Sequence, residues 1–435
     1  GDELIRATID FRGKAGFPTG IPIIITPRWS PDGQWIAFLK RVNGVTQVWR
    51  AFADGRASEA VTSSEVDVED FRIIRDGGSI IYVSRPALLR AREGIAREGL
   101  TGFHYDDRWA AMSATRPFAP PPIERLHVVR DVASLQVRPA TDAEIRLFGE
   151  RTDQGQEVWT SSRSAHGRRA WLGAATAGQA SGLLSAEIDE SRIARCESSA
   201  CSGATRPWWS PDGTRVRYFR REGWARASTA IYEWMPGGGE PRRLYLTDDV
   251  LADCAPAGEN LLCLRDSSVR PRRLERLSLP TGRRELLFDP NPEFTSLRLG
   301  RVERLHLRNE FDLPSVADLV LPLDYRAGRR YPLVVVQYDT RGFLRGGTGD
   351  EYPIQAFAAR GYAVLSVGRP ASISTGISDP TQAGRIDLAG FADRRSTLST
   401  VEAGVRLLIG RGIADPARVG LTGMSNGATT ATYAL

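Results

Sequence analysis

Chemistry concentrates near the end of the chain, in Gly423-Met424-Ser425-Asn426-Gly427. This is a G-x-S-x-G pattern set between a strand-like run, Val419-Gly420-Leu421-Thr422, and a helix-like segment at 428–435. In that context the spacing predicts a nucleophile elbow. Small flanking residues let the backbone turn sharply, and the serine hydroxyl stands clear at the top of a sheet. Ser425 is the candidate nucleophile, and the backbone N–H of Asn426 a candidate donor to a developing oxyanion. Acyl transfer by serine also needs a base and a group that orients it. The usual chain order after such an elbow is acid, then histidine. Only ten residues follow Ser425, and none is His, Asp or Glu. His104, His127, His166 and His306 all precede it and read as structural or surface histidines. The expectation is a partial record of a longer protein, truncated at both ends, since no Met opens the chain either.

The elements that must position this elbow begin near residue 295. Residues 301–308 and 315–321 alternate like strands. Leu333-Val334-Val335-Val336-Gln337 and Ala363-Val364-Leu365-Ser366-Val367 are continuous apolar runs, as expected of strands buried on both faces. Residues 352–360 read as a helix ended by Gly361. Residues 398–411 place Leu398, Val401, Val405 and Leu408 on one helical face. Strand and helix alternation of this kind predicts a mostly parallel α/β sheet.

The preceding two thirds follow a different grammar. Trp29-Ser30-Pro31-Asp32-Gly33 recurs as Trp209-Ser210-Pro211-Asp212-Gly213, and each copy precedes an alternating run. Pro-Asp-Gly is a tight turn, because Pro fixes φ and Gly accepts positive φ. Weaker copies centre on Gly77, Gly167 and Gly258. A period near 45 residues, with a poorly marked copy around 122–140, predicts four-stranded β-propeller blades. About six are visible, and about seven would close the ring. The domains are then a β-propeller over 1–295 and the N-terminal part of an α/β-hydrolase domain over 296–435. All ten tryptophans lie between Trp29 and Trp234, where packing between blades is the expected role. Residues 85–122 break the rhythm and read as a long excursion from one blade.

The four cysteines form two close pairs, Cys196 with Cys201 and Cys254 with Cys263. They suit two local disulfides in an oxidising compartment, with buried free thiols as the other reading. Their spacing is not that of a zinc site, and no metal or cofactor is called for. Net charge is +6 and nearly all cations are Arg. Charges of both signs are interspersed, which argues against a nucleic-acid partner. No apolar run reaches the ~20 residues of a membrane span. Composition is 41% hydrophobic and 25% charged, which excludes a disordered or collagen-like chain.

The order of parts and three local stretches resemble the prolyl oligopeptidase family of serine peptidases. Arg329-Arg330-Tyr331-Pro332-Leu333-Val334-Val335-Val336-Gln337-Tyr338 is similar to the family's first core strand with its terminal oxyanion tyrosine. Gly361-Tyr362-Ala363-Val364-Leu365 is similar to its next strand, and residues 415–427 to its elbow strand. The resemblance implies Ser425 as nucleophile, with the Tyr338 hydroxyl sharing the oxyanion with the Asn426 N–H. Departures are present. Ala428 stands where a second elbow Gly is usual, residues 368–374 lack the family's Arg-Gly-Ser segment, and no Glu-Glu dipeptide occurs.

Within the family, Tyr338-Asp339-Thr340-Arg341-Gly342-Phe343-Leu344-Arg345 and the residues to Ile354 resemble the lasso peptide isopeptidases, as does the stretch 102–109. That resemblance implies hydrolysis of the isopeptide bond between a peptide's N-terminal amine and an Asp or Glu side chain. Arg341 and Arg345 become candidates to face acidic substrate groups, with surface solvation as their plainer role. Two other readings stay open: a conventional dipeptidyl or oligopeptidase of the same family, and a propeller binding protein with a degenerate hydrolase domain. The expected partner is a peptide, the expected location the periplasm, and the oligomeric state is open.

Overall fold

The computed structural model describes residues 27–74, 77–104, 117, 124–148, 158–174, 182–189, 191–344, 353–377 and 379–435. The chain divides into two compact units, Gly1–Glu150 and Arg151–Leu435.

The first unit holds two four-stranded antiparallel sheets. One comprises β1 (Arg28–Trp29), β2 (Trp35–Val42), β3 (Val45–Phe52) and β4 (Ser58–Ala60). The other comprises β5 (Val68–Ile73), β6 (Ser79–Ser84), β7 (Leu126–Asp131) and β8 (Val137–Pro139). Their facing side chains, among them Leu39, Val48, Phe71 and Ile80, share one core. Each such buried apolar side chain contributes roughly 1.5–3 kcal/mol. Helix α1 (Ala87–Glu98) lies in the excursion between β6 and β7. A one-turn helix, α2 (Asp142–Ile145), follows β8 and opens on a Thr141–Glu144 capping box.

The second unit opens with three more such sheets. The third sheet is β9 (Val158–Arg163), β10 (Arg169–Ala174), β11 (Gly182–Glu187) and β12 (Ile193–Arg195). The fourth is β13 (Thr205–Trp209), β14 (Val216–Glu222), β15 (Ser228–Trp234) and β16 (Arg242–Thr247). The fifth is β17 (Val250–Ala257), β18 (Asn260–Ser267), β19 (Arg270–Ser278) and β20 (Arg284–Phe288). Leu184, Trp209, Tyr218 and Trp234 join the third sheet to the fourth. Trp208, Ile231, Leu261 and Leu277 join the fourth to the fifth. Consecutive four-stranded meanders packed face to face are propeller blades.

Five blades are therefore described, not six. The copy expected at 122–140 is no separate blade: its strands β7 and β8 complete the second one. Ile80 of β6 pairs with Arg130 of β7 across the 41-residue excursion Arg85–Arg125, so the hairpin partner comes late and imitates a new repeat.

The repeated pentapeptide is the first turn of the first and fourth blades. Gly33 and Gly213 adopt φ of +69° and +66°. The Ser30 and Ser210 hydroxyls donate to Asp32 and Asp212 at 2.6 and 2.5 Å. The same aspartates accept the N–H of Gln34 and Thr214. Disulfides join Cys196 to Cys201 after β12 and Cys254 of β17 to Cys263 of β18. Trp35, Trp171, Trp208, Trp209 and Trp234 are buried, whereas Trp29 is exposed and Trp224 leaves the blades altogether.

A five-stranded sheet follows, built from β21 (Val302–Arg308), β22 (Pro314–Val320), β23 (Tyr331–Tyr338), β24 (Ala363–Gly368) and β25 (Ala414–Gly423), in the order β21-β22-β24-β23-β25. The β23–β24 and β23–β25 pairs are parallel. The β21–β22 and β22–β24 pairs are antiparallel, so the described sheet is evenly mixed rather than mostly parallel. A two-stranded antiparallel edge is what the short 309–313 connection permits, since parallel neighbours need a long crossover. Helices α3 (Ile354–Ala359), α4 (Pro380–Leu388), α5 (Ala392–Gly410) and α6 (Asn426–Tyr433) complete this part. Val401 and Leu408 of α5 pack on one face against Leu333, Val335 and Leu365. Ile354 and Ala358 of α3 pack on the other against Val336 and Val364. Among the described residues no helix is long and apolar enough to cross a membrane.

Candidate active site

Strand β25 ends at Gly423 and α6 starts at Asn426, leaving Met424 and Ser425 to make the turn. Ser425 sits at φ 53°, ψ −116°, a conformation that non-glycine residues hold only under local strain. A Cβ at position 423 would lie 2.5 Å from the Gly427 carbonyl carbon and 2.6 Å from the Gln337 carbonyl oxygen. Glycine at 423 is thus required by the close approach of helix and neighbouring strand. The Gly427 N–H donates to the Met424 carbonyl at 2.7 Å and closes the turn. Ser425 is exposed at the head of α6, and its hydroxyl makes no hydrogen bond among the described residues. The Asn426 N–H, in the first turn of α6, is likewise without an acceptor there, as helix position dictates.

The register of β23 brings the other expected donor to the same edge. Gln337 is level with Gly423 on one side, and Tyr338 with Gly368 on the other. The Tyr338 backbone therefore ends β23 beside the elbow; its side chain lies outside the described residues. Immediately beyond, the Thr340 hydroxyl donates to Asp318 at 2.6 Å. Arg304 donates twice to the same carboxylate, at 2.9 and 2.7 Å. Asp318 is 1% exposed, so three donors compensate a buried charge that would otherwise be costly. This knot fixes the exit of β23.

Arg341 is exposed and makes no ion pair among the described residues. Arg345 and the segment to Tyr352 lie outside them, as do residues 105–109 of the excursion. Burial pushes the Arg221 guanidinium below its ordinary value, and the positive charge of Arg341 adds to the effect. Arg221 of β14 and Arg341 are thus electrostatic neighbours. After β24, the Ser372 and Ser374 hydroxyls and the Ser374 N–H all donate to Asp387 of α4, which folds back the segment that departs from the family pattern.

None of the four histidines is bonded to Ser425 among the described residues. His127 packs edge-on against Phe148, and His306 stacks on Trp224. Nor does any His, Cys, Asp or Glu group there make a metal cluster. Five contributors carry no motif of their own: Asp318, Thr340, Arg369, Asp393 and Arg394. The alternating run 315–321 carried a signal for the first, since an Asp at an inward strand position demands partners.

Propeller-type blades lead into a mixed sheet that ends in a strained, serine-bearing elbow. No family model matches the chain. It is 37% identical over 441 residues to the lasso peptide isopeptidase AtxE2 of Asticcacaulis excentricus, covering 100% of this chain and 62% of that protein. The chain thus spans about three fifths of the relative's length. The apo structure of AtxE2 isopeptidase superposes with a TM-score of 0.83 at 35% identity, over 96% of this chain and 64% of that one. A serine-to-alanine variant with Astexin3-dC4 bound gives 0.84 at 35%, over 97% and 65%. The Pyrococcus horikoshii acylaminoacyl peptidase shares the fold, with a TM-score of 0.62 at 18% identity over 96% of this chain and 69% of that one. The resemblance to the lasso peptide isopeptidase branch of the prolyl oligopeptidase family, read from the motifs, holds along the chain.

Proposed function

We propose that the whole protein is a serine isopeptidase that opens lasso peptides. The observation that carries this reading is the elbow: an exposed serine in a strained turn, in a chain 37% identical to a lasso peptide isopeptidase over its full length. The five-stranded sheet then reads as an α/β-hydrolase sheet, fronted by a propeller of about seven blades.

In this mechanism the Ser425 oxygen attacks the isopeptide carbonyl carbon while a general base takes its proton. The carbonyl oxygen becomes an oxyanion, received by the Asn426 N–H and the Tyr338 hydroxyl. Each such donor is worth about 3–4 kcal/mol in the transition state. The base then gives that proton to the leaving nitrogen, and collapse breaks the C–N bond, frees the peptide's N-terminal amine and leaves an ester between Ser425 and the Asp or Glu side chain. Water then attacks the ester, releasing the carboxylate and restoring the hydroxyl. Arg341 and Arg345, just past the oxyanion strand, face acidic groups of the substrate. No base is assigned to a described residue.

The two disulfides support an oxidising location, the periplasm. The test of function is mass spectrometry of a lasso peptide such as Astexin3-dC4 incubated with the full-length protein. Gain of one water with conversion to a linear peptide, absent in Ser425→Ala, is expected. Unchanged mass with active wild-type protein, or turnover by Ser425→Ala, would contradict the reading.

A further inference from the structure

Behind the elbow lies a series of charged side chains that the reaction above does not use. Arg369 directly follows β24, and its Nη2 reaches both oxygens of Asp393 at 2.7 and 2.8 Å. Arg394 Nη2 donates to Asp393 Oδ2 at 2.7 Å and to Asn426 Oδ1 at 3.0 Å. Its Nη1 points at the Asn426 main-chain oxygen, 3.5 Å away. The Thr430 hydroxyl donates to that same oxygen at 2.9 Å. Asn426 is therefore held by its side-chain and main-chain oxygens, while its N–H stays without an acceptor among the described residues.

Two features set this series apart from an ordinary surface ion pair. The first is the position of Asp393, in the first turn of α5. An acidic residue there ordinarily complements its own helix. Here α5 is entered through Phe391 at φ 57° with no side-chain cap, and both Asp393 oxygens go to arginines. The second is burial: the side chains of Asp393 and Arg394 are 14% and 18% exposed. Their charge-assisted bonds are only partly screened by solvent and restrict geometry more than exposed pairs do. Two guanidinium groups against one carboxylate also leave a net positive charge behind the turn that receives the oxyanion.

We propose that Arg394, fixed by Asp393 and Arg369, is a positioning residue for the oxyanion hole, clamping Asn426 so that its N–H faces the site where negative charge develops. The proposal rests on the reading of Ser425 as nucleophile and adds to it a residue acting through Asn426. A donor aimed before the reaction stabilises the transition state without reorganising, and loss of its aim forfeits part of its worth.

The probe is a fluorophosphonate, whose phosphonyl oxygen occupies the oxyanion position whatever the natural substrate. Its inactivation kinetics are measured on the full-length protein for Arg394→Met, Arg394→Lys, Asn426→Ala and the Arg394→Met/Asn426→Ala pair. We expect the limiting inactivation rate of Arg394→Met to fall roughly 10–100-fold, with the half-saturating concentration changed by less than about twofold. Arg394→Lys should recover part of the rate. The double variant should be no slower than the slower single one, because the two residues act as a unit. A folded Arg394→Met with the wild-type rate overturns the proposal, as does an effect confined to half-saturation or additive losses in the double variant. Where Arg394→Met fails to fold, wild-type rates in both Arg394→Lys and Asn426→Ala overturn it, and a loss in Asn426→Ala partly shared by Arg394→Lys upholds it. Labelling of Ser425→Ala at the wild-type rate, or no labelling of the wild type, instead removes the nucleophile assignment itself.

Discussion

The indole N–H of Trp224 donates to the carbonyl oxygen of Ser315 at 2.8 Å, and also meets that of Leu307 at 3.2 Å. A propeller loop thereby grips the edge hairpin of the mixed sheet. The ring stacks on His306 and lies under the Arg308 guanidinium. The grip sits at the elbow end of the sheet, since the Ser315 hydroxyl donates to the Gly368 carbonyl and Gly368 is level with Tyr338. The loop is strained, with Ala225 and Arg226 at φ of 49° and 54°. Arg221 holds it by donating to the carbonyls of Arg226 and Ala227. Trp224→Phe keeps the stack and removes the donor. It should cost about 1 kcal/mol, read as a lowered denaturation midpoint; an unchanged midpoint would deny the bond any weight.

Gly423→Ala should destroy the elbow while sparing the blades. Its methyl group would lie within 2.6 Å of main-chain atoms of Gly427 and Gln337, which have no flexible end to move aside. The expected outcome is loss of fluorophosphonate labelling with far-UV circular dichroism retained. Labelling at the wild-type rate would show that the turn tolerates a Cβ.

Asp318→Asn should be strongly destabilising. It leaves Arg304 half-compensated in a buried setting, and breaking such pairs costs about 3–5 kcal/mol. Because the amide keeps a single oxygen for the three donors of Arg304 and Thr340, the exit of β23 should loosen, and hydrogen exchange at 338–341 should quicken. Wild-type stability and exchange would show that this knot does not hold the end of β23.

Acid sensitivity should arise in the repeated turns. The Ser210 hydroxyl, followed by the Thr214 N–H, holds the Asp212 carboxyl down at about 2, from an ordinary 3.8. A depressed carboxyl contributes stability that is complete above the unfolded value and is lost as pH falls through the folded one. Asp32, bonded in the same way to Ser30, shifts in the same direction. Thermal melts should therefore fall between pH 4 and 2, and Asp212→Asn should flatten that fall. Equal slopes in the two proteins would contradict the assignment.

Much of this was legible in the chain because local rules suffice for it. Pro-Asp-Gly favours a turn through its own φ preferences, and a short, Val-rich apolar run such as Leu333–Gln337 favours a buried strand. The elbow was legible because G-x-S-x-G needs small residues for a close approach that the Gly423 contacts now show. Blade count was not legible where the 85–125 excursion separated β6 from β7, because pairing across an insertion leaves no periodic trace. Helix α4 was missed because Pro380–Leu388 carries little apolar periodicity. Trp224 looked like the other tryptophans, since composition does not tell packing between blades from a grip on a neighbouring sheet. Arg394 and Asp393 were illegible for the same reason: Asn426 lies 32 residues from Arg394 and Arg369 lies 24 from Asp393, and only the fold brings them together.

In the proposed reaction Ser425 opens an isopeptide bond rather than a backbone peptide bond. The most direct measurement is turnover of a lasso peptide by the full-length protein in ¹⁸O water, followed by fragmentation of the product. The expected product carries a single label on the side-chain carboxylate of the Asp or Glu that closed the ring, together with a free N-terminal amine. Label at a newly formed backbone C-terminus, with the ring still closed, would contradict it.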